Sequence, residues 1–489
     1  MNPKGFDFPG SARQVPLIVW VLTLVVLILI PLKIVGYGFM PGGDALRHVA
    51  KAFTDKPDDQ IVVVRSEYKV DHNGGWEWVL RQTHRALGWN ADQLTIFSTV
   101  FLVLWVFLAP LPWLRRPEAW LAALLAQLVA LPALMVRLAQ VRPLLISEGV
   151  LIALLFAWSK PDQKGPSSLK LGLTCIGVTL SVWLHGSWYL WVLPLAAFFL
   201  ARQWRSCFWL TLCWLAGTVC GALLTGHPIA YLVEAVRMAV DVFREHLPYW
   251  MLVGEFQPSE GELSSLMLLA VVFLWRRQQN ESESKLLDTP AFWLVVICWI
   301  LGLRADRCWV DWGIPAMLVW LTVQFEEGMT KYWEGKSLKR VVACGLIAMP
   351  LFFHSTNDLD RRYTHNLDKA YLDGSNPSLR GWMPESNGIF YSAQMGFYYD
   401  TFYKNPTADW RYILGFEPAL MPKDDLKIYR GIQMNRNDVK AYEPWADKMQ
   451  PADRLAISSY AKPDLPQLEW TNATKTLWIG RLPSGNSAN

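Results

Sequence analysis

Just past the first hydrophobic run, the chain clusters residues able to move a proton. Gly42-Gly43-Asp44-Ala45-Leu46-Arg47-His48 is followed by Val70-Asp71-His72-Asn73-Gly74-Gly75-Trp76-Glu77-Trp78. Charge beside hydrocarbon is costly unless it is paired or used. Two glycines precede Asp44, and their backbone freedom lets a substrate approach closely. Arg47 and His48 follow at i+3 and i+4, so all three share one helix face. A carboxylate held in this way can take the proton of a hydroxyl nucleophile. A structural role fits Asp44 as well: an Asp before a helix is a favoured N-cap, worth about 1 kcal/mol. Asp71-His72-Asn73-Gly74-Gly75 reads as a binding loop or as a plain turn, which Asn-Gly promotes.

The elements that must carry these residues are mostly apolar. Of 489 residues, 52% are hydrophobic and only 18% charged, with 27 tryptophans, which is not the balance of an ordinary soluble domain. A helix needs about 20 apolar residues to cross the hydrocarbon core. Runs near 15–36, 95–114, 118–136, 143–158, 171–184, 188–201, 207–225, 263–275, 291–303, 313–325 and 340–353 predict a polytopic α-helical protein of about 11 spans. Alternate loops are basic: Lys4 and Arg13; Arg115 and Arg116; Lys160, Lys164 and Lys170; Arg202 and Arg205; Arg276, Arg277 and Lys285; Lys331, Lys336, Lys339 and Arg340. The positive-inside rule makes that side, and the N-terminus, cytoplasmic. The first run has basic flanks and no small-residue cleavage site after it, so it reads as a retained anchor. A net charge of +4 gives a nucleic-acid partner no support.

Residues 1–353 then form the membrane domain, with external loops at 37–94 and 226–262, and 354–489 an extracytoplasmic α/β or α+β domain. In the first loop, Leu46, Val49, Ala50 and Phe53 follow a helical period, as do Trp76, Val79, Leu80, Thr83 and Leu87. Both helices are expected to lie flat on the membrane surface, the second showing Glu77, Arg81, His84 and Arg85 on its polar face. Ile61-Val62-Val63-Val64 between them suggests a short strand or buried run. In the tail, 386–402 reads as a helix, and 455–460, 468–471 and 476–479 as strands, the last two flanking a turn at Asn472-Ala473-Thr474.

On this topology the eight histidines (48, 72, 84, 185, 227, 246, 354 and 365) all fall on the outer side. Imidazole titrates near neutral pH and serves as acid, base or ligand. Arg142-Pro143 opens the fourth run just after Arg137, and Glu148 lies inside it. Arg304, Asp306, Arg307 and Asp311 fill the turn between the ninth and tenth runs. External arginines depart from the usual bias, and guanidinium suits bidentate phosphate binding. In the second loop the charges at 241–246 read as a solvated face, and Glu255 is a candidate for substrate contact. The seven cysteines lie in or beside apolar runs and show neither a disulfide framework nor a metal signature.

This layout resembles the GT-C superfamily of polytopic glycosyltransferases. The resemblance rests on Asp44 in the first external loop, the two helices of that loop, Asp71-His72-Asn73-Gly74-Gly75-Trp76, Arg142-Pro143, His185-Gly186-Ser187-Trp188-Tyr189 and a terminal exterior domain. It departs from the usual pattern in having Gly43-Asp44 where many relatives carry two acids, and in lacking a His-Pro-Pro motif. The resemblance implies an inverting transfer of a sugar from a polyprenyl-phosphate donor to a glycan, lipid or protein acceptor at the outer face of a bacterial cytoplasmic membrane. Asp44 would be the base; Arg47, His48, Asp71, His72, Arg142, His185, Glu255, Arg304 and Arg307 would bind substrate or phosphate. No cofactor is implied beyond a divalent cation, which the motifs leave open. The competing readings are a non-catalytic envelope scaffold and a transporter.

Overall fold

The computed structural model describes residues 16–159, 165–333 and 337–483. Lys4, Arg13, Lys160, Lys164 and Lys336, part of the basic bias, lie outside the described residues. The chain forms two compact units, each assembled from separated segments.

The helical unit gathers Met1–Met40, Ile96–Leu223 and Gln257–Leu367. Every expected apolar run is helical, but the expectation of about 11 spans does not hold. Among the described residues four helices are long and apolar enough to cross a membrane: Leu17–Gly36, Ala91–Trp113, Trp204–Leu223 and Ser337–Thr356. Pro117–Ala130 and Ala133–Ala139 make a fifth only if they count as one span across a 108° bend. Helix Leu144–Trp158 has 15 residues, Ser168–Leu184 has 17 and Pro290–Gly302 has 13. At about 1.5 Å per residue the shortest reaches about 20 Å, against a hydrocarbon core of about 30 Å. Helix Ile314–Trp333 is long enough but carries Glu326, Glu327 and Lys331 in its last turns. Small residues bring helices together: a Cβ on Gly217 or Gly221 would sit 2.8 Å from Val178 or Val182, so Trp204–Leu223 packs closely on Ser168–Leu184. Arg276, read from sequence as one of the basic loop residues, is buried and pairs with Glu327 at 2.5 Å.

The mixed unit gathers Pro41–Thr95, Leu224–Phe256 and Asp368–Asn489. Its sheet holds β1 (Ile389–Tyr391), β2 (Arg411–Tyr412), β3 (Arg454–Ser458), β4 (Glu469–Thr474) and β5 (Leu477–Arg481), in the order β2-β1-β3-β5-β4. β1 is parallel to β2 and β3, and β5 is antiparallel to β3 and β4. The stretch read as a helix over 386–402 divides into β1 and helix Met395–Lys404. The hairpin turn falls later than Asn472-Ala473-Thr474, because β4 continues through Thr474 with a bulge.

Alternating strand residues feed opposite faces. Phe390 and Ala456 join one core with Ile479, Tyr398 and Phe402. Tyr391, Leu455 and Ile457 join the other with Leu426, Tyr429 and Trp445. The two segments read from sequence as loops complete these cores. Ala50, Ile61 and Val62 pack into the first, and Val242, Leu247, Met251, Leu252 and Phe256 into the second. The apolar run at 61–64 extends the sheet beyond β2: the Val63 amide donates to the Tyr412 carbonyl and the Tyr412 amide to the Ile61 carbonyl, both at 2.8 Å.

A side chain at Gly415 would collide with Val62 and press on the Tyr398 ring. Gly415→Val should therefore cost about 1–3 kcal/mol, the usual range for overpacking. The measurement is denaturant unfolding followed by aromatic fluorescence in detergent, and an unchanged midpoint would show that the 61–64 run is not held as described.

Candidate functional site

The Asp44 centre is built inside the mixed unit from helices Asp44–Lys51 and Gly74–Leu87. Gly43, at φ 72°, is the N-cap residue of the first helix, in a backbone region that disfavours a side chain. Asp44 is thus the first helical residue and not the cap proposed for it, with its carboxylate near the positive end of the helix dipole. The expectation that this helix lies on a membrane surface also fails. Residues 45–51 are all buried, because the helix packs on Met395–Lys404 and sets the Arg47 guanidinium over the Phe416 ring at 5.1 Å.

Arg47 Nε donates to Asp44 Oδ1 at 2.8 Å, and His48 Nε2 donates to Asp44 Oδ2 at 3.0 Å. The other imidazole nitrogen, Nδ1, meets Glu77 Oε1 at 3.2 Å. One buried imidazole thus bridges two carboxylates. Only Asp44 of the three reaches solvent: its side chain is 24% exposed, against 1% for His48 and 4% for Glu77. Glu77 belonged to the polar surface face in the sequence reading; it turns inward because Trp76 and Leu80, on the same side of the helix, are buried. Beyond it, Lys51 Nζ lies 2.8 Å from Asp58, 3.6 Å from Asp71 and 3.7 Å from Glu77. One turn after Glu77, Arg81 donates to the carbonyl of Lys51, which the end of the first helix leaves open, and to that of Thr54 just beyond it.

Charge sets the protonation of the group. Burial opposes ionisation of Glu77, but Lys51, hydrogen bonds from Asp71 and His48, and Arg47 outweigh it and hold the carboxyl down at about 2. Burial also opposes charging of His48, yet Asp44 and the hydrogen bonds to both carboxylates raise its pKa. Asp71 moves the other way: burial and the neighbouring Glu77 push its pKa up. Burial lowers the His72 pKa.

Asp71 also accepts the Asn73 amide at 2.8 Å, and that turn leads directly into the second helix, which begins at Gly74. His72 packs against the Tyr231 ring at 5.6 Å, and its Nε2 has no hydrogen-bond partner among the described residues. The segment before it is fastened by helix Pro228–Arg244 and the residue that follows. Glu234 accepts the amides of Lys69 and Val70 at 3.0 Å, Tyr68 donates to Asp241 at 2.5 Å, and Arg65 pairs with Glu245 at 2.6 Å. Asp241 and Glu245 are therefore clamps, not the solvated face expected. Glu255 lies half-buried in the single turn Gly254–Phe256 of the same unit.

The remaining candidates belong to the helical unit. Arg142 is half-buried just before helix Leu144–Trp158, and the buried Glu148 lies within that helix. His185 ends helix Ser168–Leu184 and contacts Ser187 Oγ through Nδ1 at 2.7 Å. Arg304 is exposed and Arg307 buried. Asp311, read as part of an external turn, instead lies buried in the π-helical turn Trp309–Gly313 and pairs with Arg137 at 2.5 Å. Sequence reasoning missed Lys51, Asp58 and Glu77 at the Asp44 centre. The available signal was Glu77 sharing a helix face with Trp76 and Leu80. Among the described residues no group of three or more His, Cys, Asp or Glu is arranged to hold a metal ion.

No protein-family model and no curated protein matches the chain.

Glu77→Gln should leave His48 and Lys51 without their shared counter-charge and cost about 3–5 kcal/mol, as for other broken buried pairs. The pH dependence has two signs. A carboxyl held at about 2 instead of 4.5 contributes stability that is complete above about pH 4.5 and lost as pH falls toward 2. An imidazole raised above 6.5 contributes stability that is complete below that pH and lost as pH rises through its folded value. The deficit of Glu77→Gln relative to the unaltered chain should thus shrink in acid, and that of His48→Gln should shrink in alkali. Unfolding midpoints across pH 3–9 check both; flat differences would refute the charge assignment.

Proposed function

We propose that this chain is a membrane glycosyltransferase that moves a sugar from a polyprenyl-phosphate donor to an acceptor hydroxyl on a glycan, lipid or protein. The reaction is placed at the outer face of the bacterial cytoplasmic membrane, with the N-terminus cytoplasmic. Four helices long and apolar enough to cross a bilayer support a membrane setting. The observation that carries the reading is the Asp44 carboxylate, half-exposed with both oxygens held by buried partners, Arg47 and His48.

In this mechanism the acceptor oxygen attacks the anomeric carbon as its proton passes to Asp44. The bond from that carbon to the phosphate oxygen breaks, and its electron pair leaves with the lipid phosphate. Attack opposite the leaving group inverts the anomeric centre. Arg47 and His48 fix the rotamer of Asp44, and fixed orientation lowers the entropy cost of reaching the transition state. Glu77 favours the charged imidazole of His48 and holds it in place.

The test is the purified full chain with polyprenyl-phosphate sugars and a panel of glycan, lipid and peptide acceptors. Asp44→Asn should reduce turnover at least about 100-fold, the lower range for loss of a general base, while donor binding persists. Full turnover by that variant would remove Asp44 from the chemistry, and no transfer by the unaltered chain would refute the reading.

A further inference from the structure

The least expected group in the mixed unit is a buried ammonium. Lys51 is 5% exposed, on the last turn of its helix. Lysine is almost never fully buried unless paired. Here Nζ donates to Asp58 Oδ1 at 2.8 Å and to the Lys56 carbonyl at 3.2 Å, and faces Asp71 Oδ2 at 3.6 Å and Glu77 Oε2 at 3.7 Å. Three carboxyl groups and a carbonyl are the oxygen donors that hard divalent cations select. The spacing is wider than the roughly 2.0–2.6 Å of such metal–oxygen bonds, and the ammonium fills it.

We propose that Lys51 is the resident cation of the Asp44 centre, its ammonium taking the place among Asp58, Asp71 and Glu77 that a divalent metal would otherwise occupy, and so positioning the centre without added metal. The charges fit. Arg47, His48 and Lys51 already stand among Asp44, Asp58, Asp71 and Glu77. A divalent ion added to that set would face three fixed cations.

Lys51 acts on Asp44 at a distance. Glu77 presents Oε2 to Lys51 and Oε1 to His48, and His48 reaches Asp44 with its other nitrogen. Removing the ammonium leaves Glu77 without its largest compensating charge. The effect passes through the imidazole to the exposed carboxylate. Lys51 is a positioning residue and touches no substrate in this scheme.

The experiment uses the full chain in detergent and Mn²⁺ as probe, followed by electron paramagnetic resonance and thermal unfolding. Lys51→Ala should lose thermal stability, bind Mn²⁺ at least about tenfold more tightly than the unaltered chain, a difference of about 1.4 kcal/mol, and regain stability when Mn²⁺ is added. Adding Asp58→Asn should abolish both gains. Lys51→Arg, which keeps the charge, should need no metal. Mn²⁺ binding by the unaltered chain that Asp58→Asn removes would overturn the proposal. So would a Lys51→Ala chain that stays unfolded with and without Mn²⁺, because the stem of Lys51 and not its charge would then be what the fold needs. The metal arm does not require turnover. The turnover arm rests on the transferase reading and predicts that unaltered activity survives chelation by EDTA; an inactive chain would refute that reading while the Mn²⁺ titration still decides the role of Lys51.

Discussion

A carboxylate buried in protein must be compensated where it sits, and in this molecule that carboxylate is Glu77. It is 3% exposed and takes part in interactions with His48, Lys51, Arg47 and Asp71. An isolated buried carboxylate would cost several kcal/mol, so the partners cannot be placed loosely. Asp44–Lys51 must present Arg47, His48 and Lys51 toward one point, and Gly74–Leu87 must begin where Glu77 meets them. The same constraint sets Asp44, whose side chain is 24% exposed, on a backing of buried charge.

That arrangement depends on chain segments far apart in sequence. Helix Asp44–Lys51 has little apolar surface of its own. It is held under Met395–Lys404, while Ile61 and Val62 extend the sheet edge beside Tyr412. On the opposite face of the sheet, Val242, Met251 and Phe256 fill a core with residues of the tail. The segment that leads into Asp71 is clamped through Glu234, Asp241 and Glu245. What reads as loop is therefore structural layer, and the acids and bases of those segments serve the fold and the candidate site together.

The helical unit follows a different economy. Its helices differ in length, 20 residues in Leu17–Gly36 and 7 in Ala133–Ala139, and close packing at Gly217 and Gly221 replaces the bulky interdigitation of a soluble core. Buried charge recurs there in pairs: Arg137 with Asp311, Arg276 with Glu327, and Arg340 with Glu118. Arginines that the sequence places in basic loops or beside apolar runs are in these cases matched by acids far away in the chain.

Local pattern alone determined much of this protein. The apolar runs became helices close to their expected bounds, the 3.6-residue period located both helices at Asp44–Lys51 and Gly74–Leu87, and the Leu455 and Trp478 regions became strands. Asp44, Arg47 and His48 could be grouped because i, i+3 and i+4 share a face whatever surrounds the helix. Tertiary structure decided the rest. It made Gly43 the N-cap residue, turned Glu77 inward, set Lys51 among three carboxyl groups and paired Arg137 with Asp311. It also reduced about 11 candidate spans to four or five, because a run of apolar residues does not state how long or straight its helix will be. Periodicity reports which side of an element is apolar, but whether a polar side faces water or an opposite charge depends on partners that only the folded chain supplies.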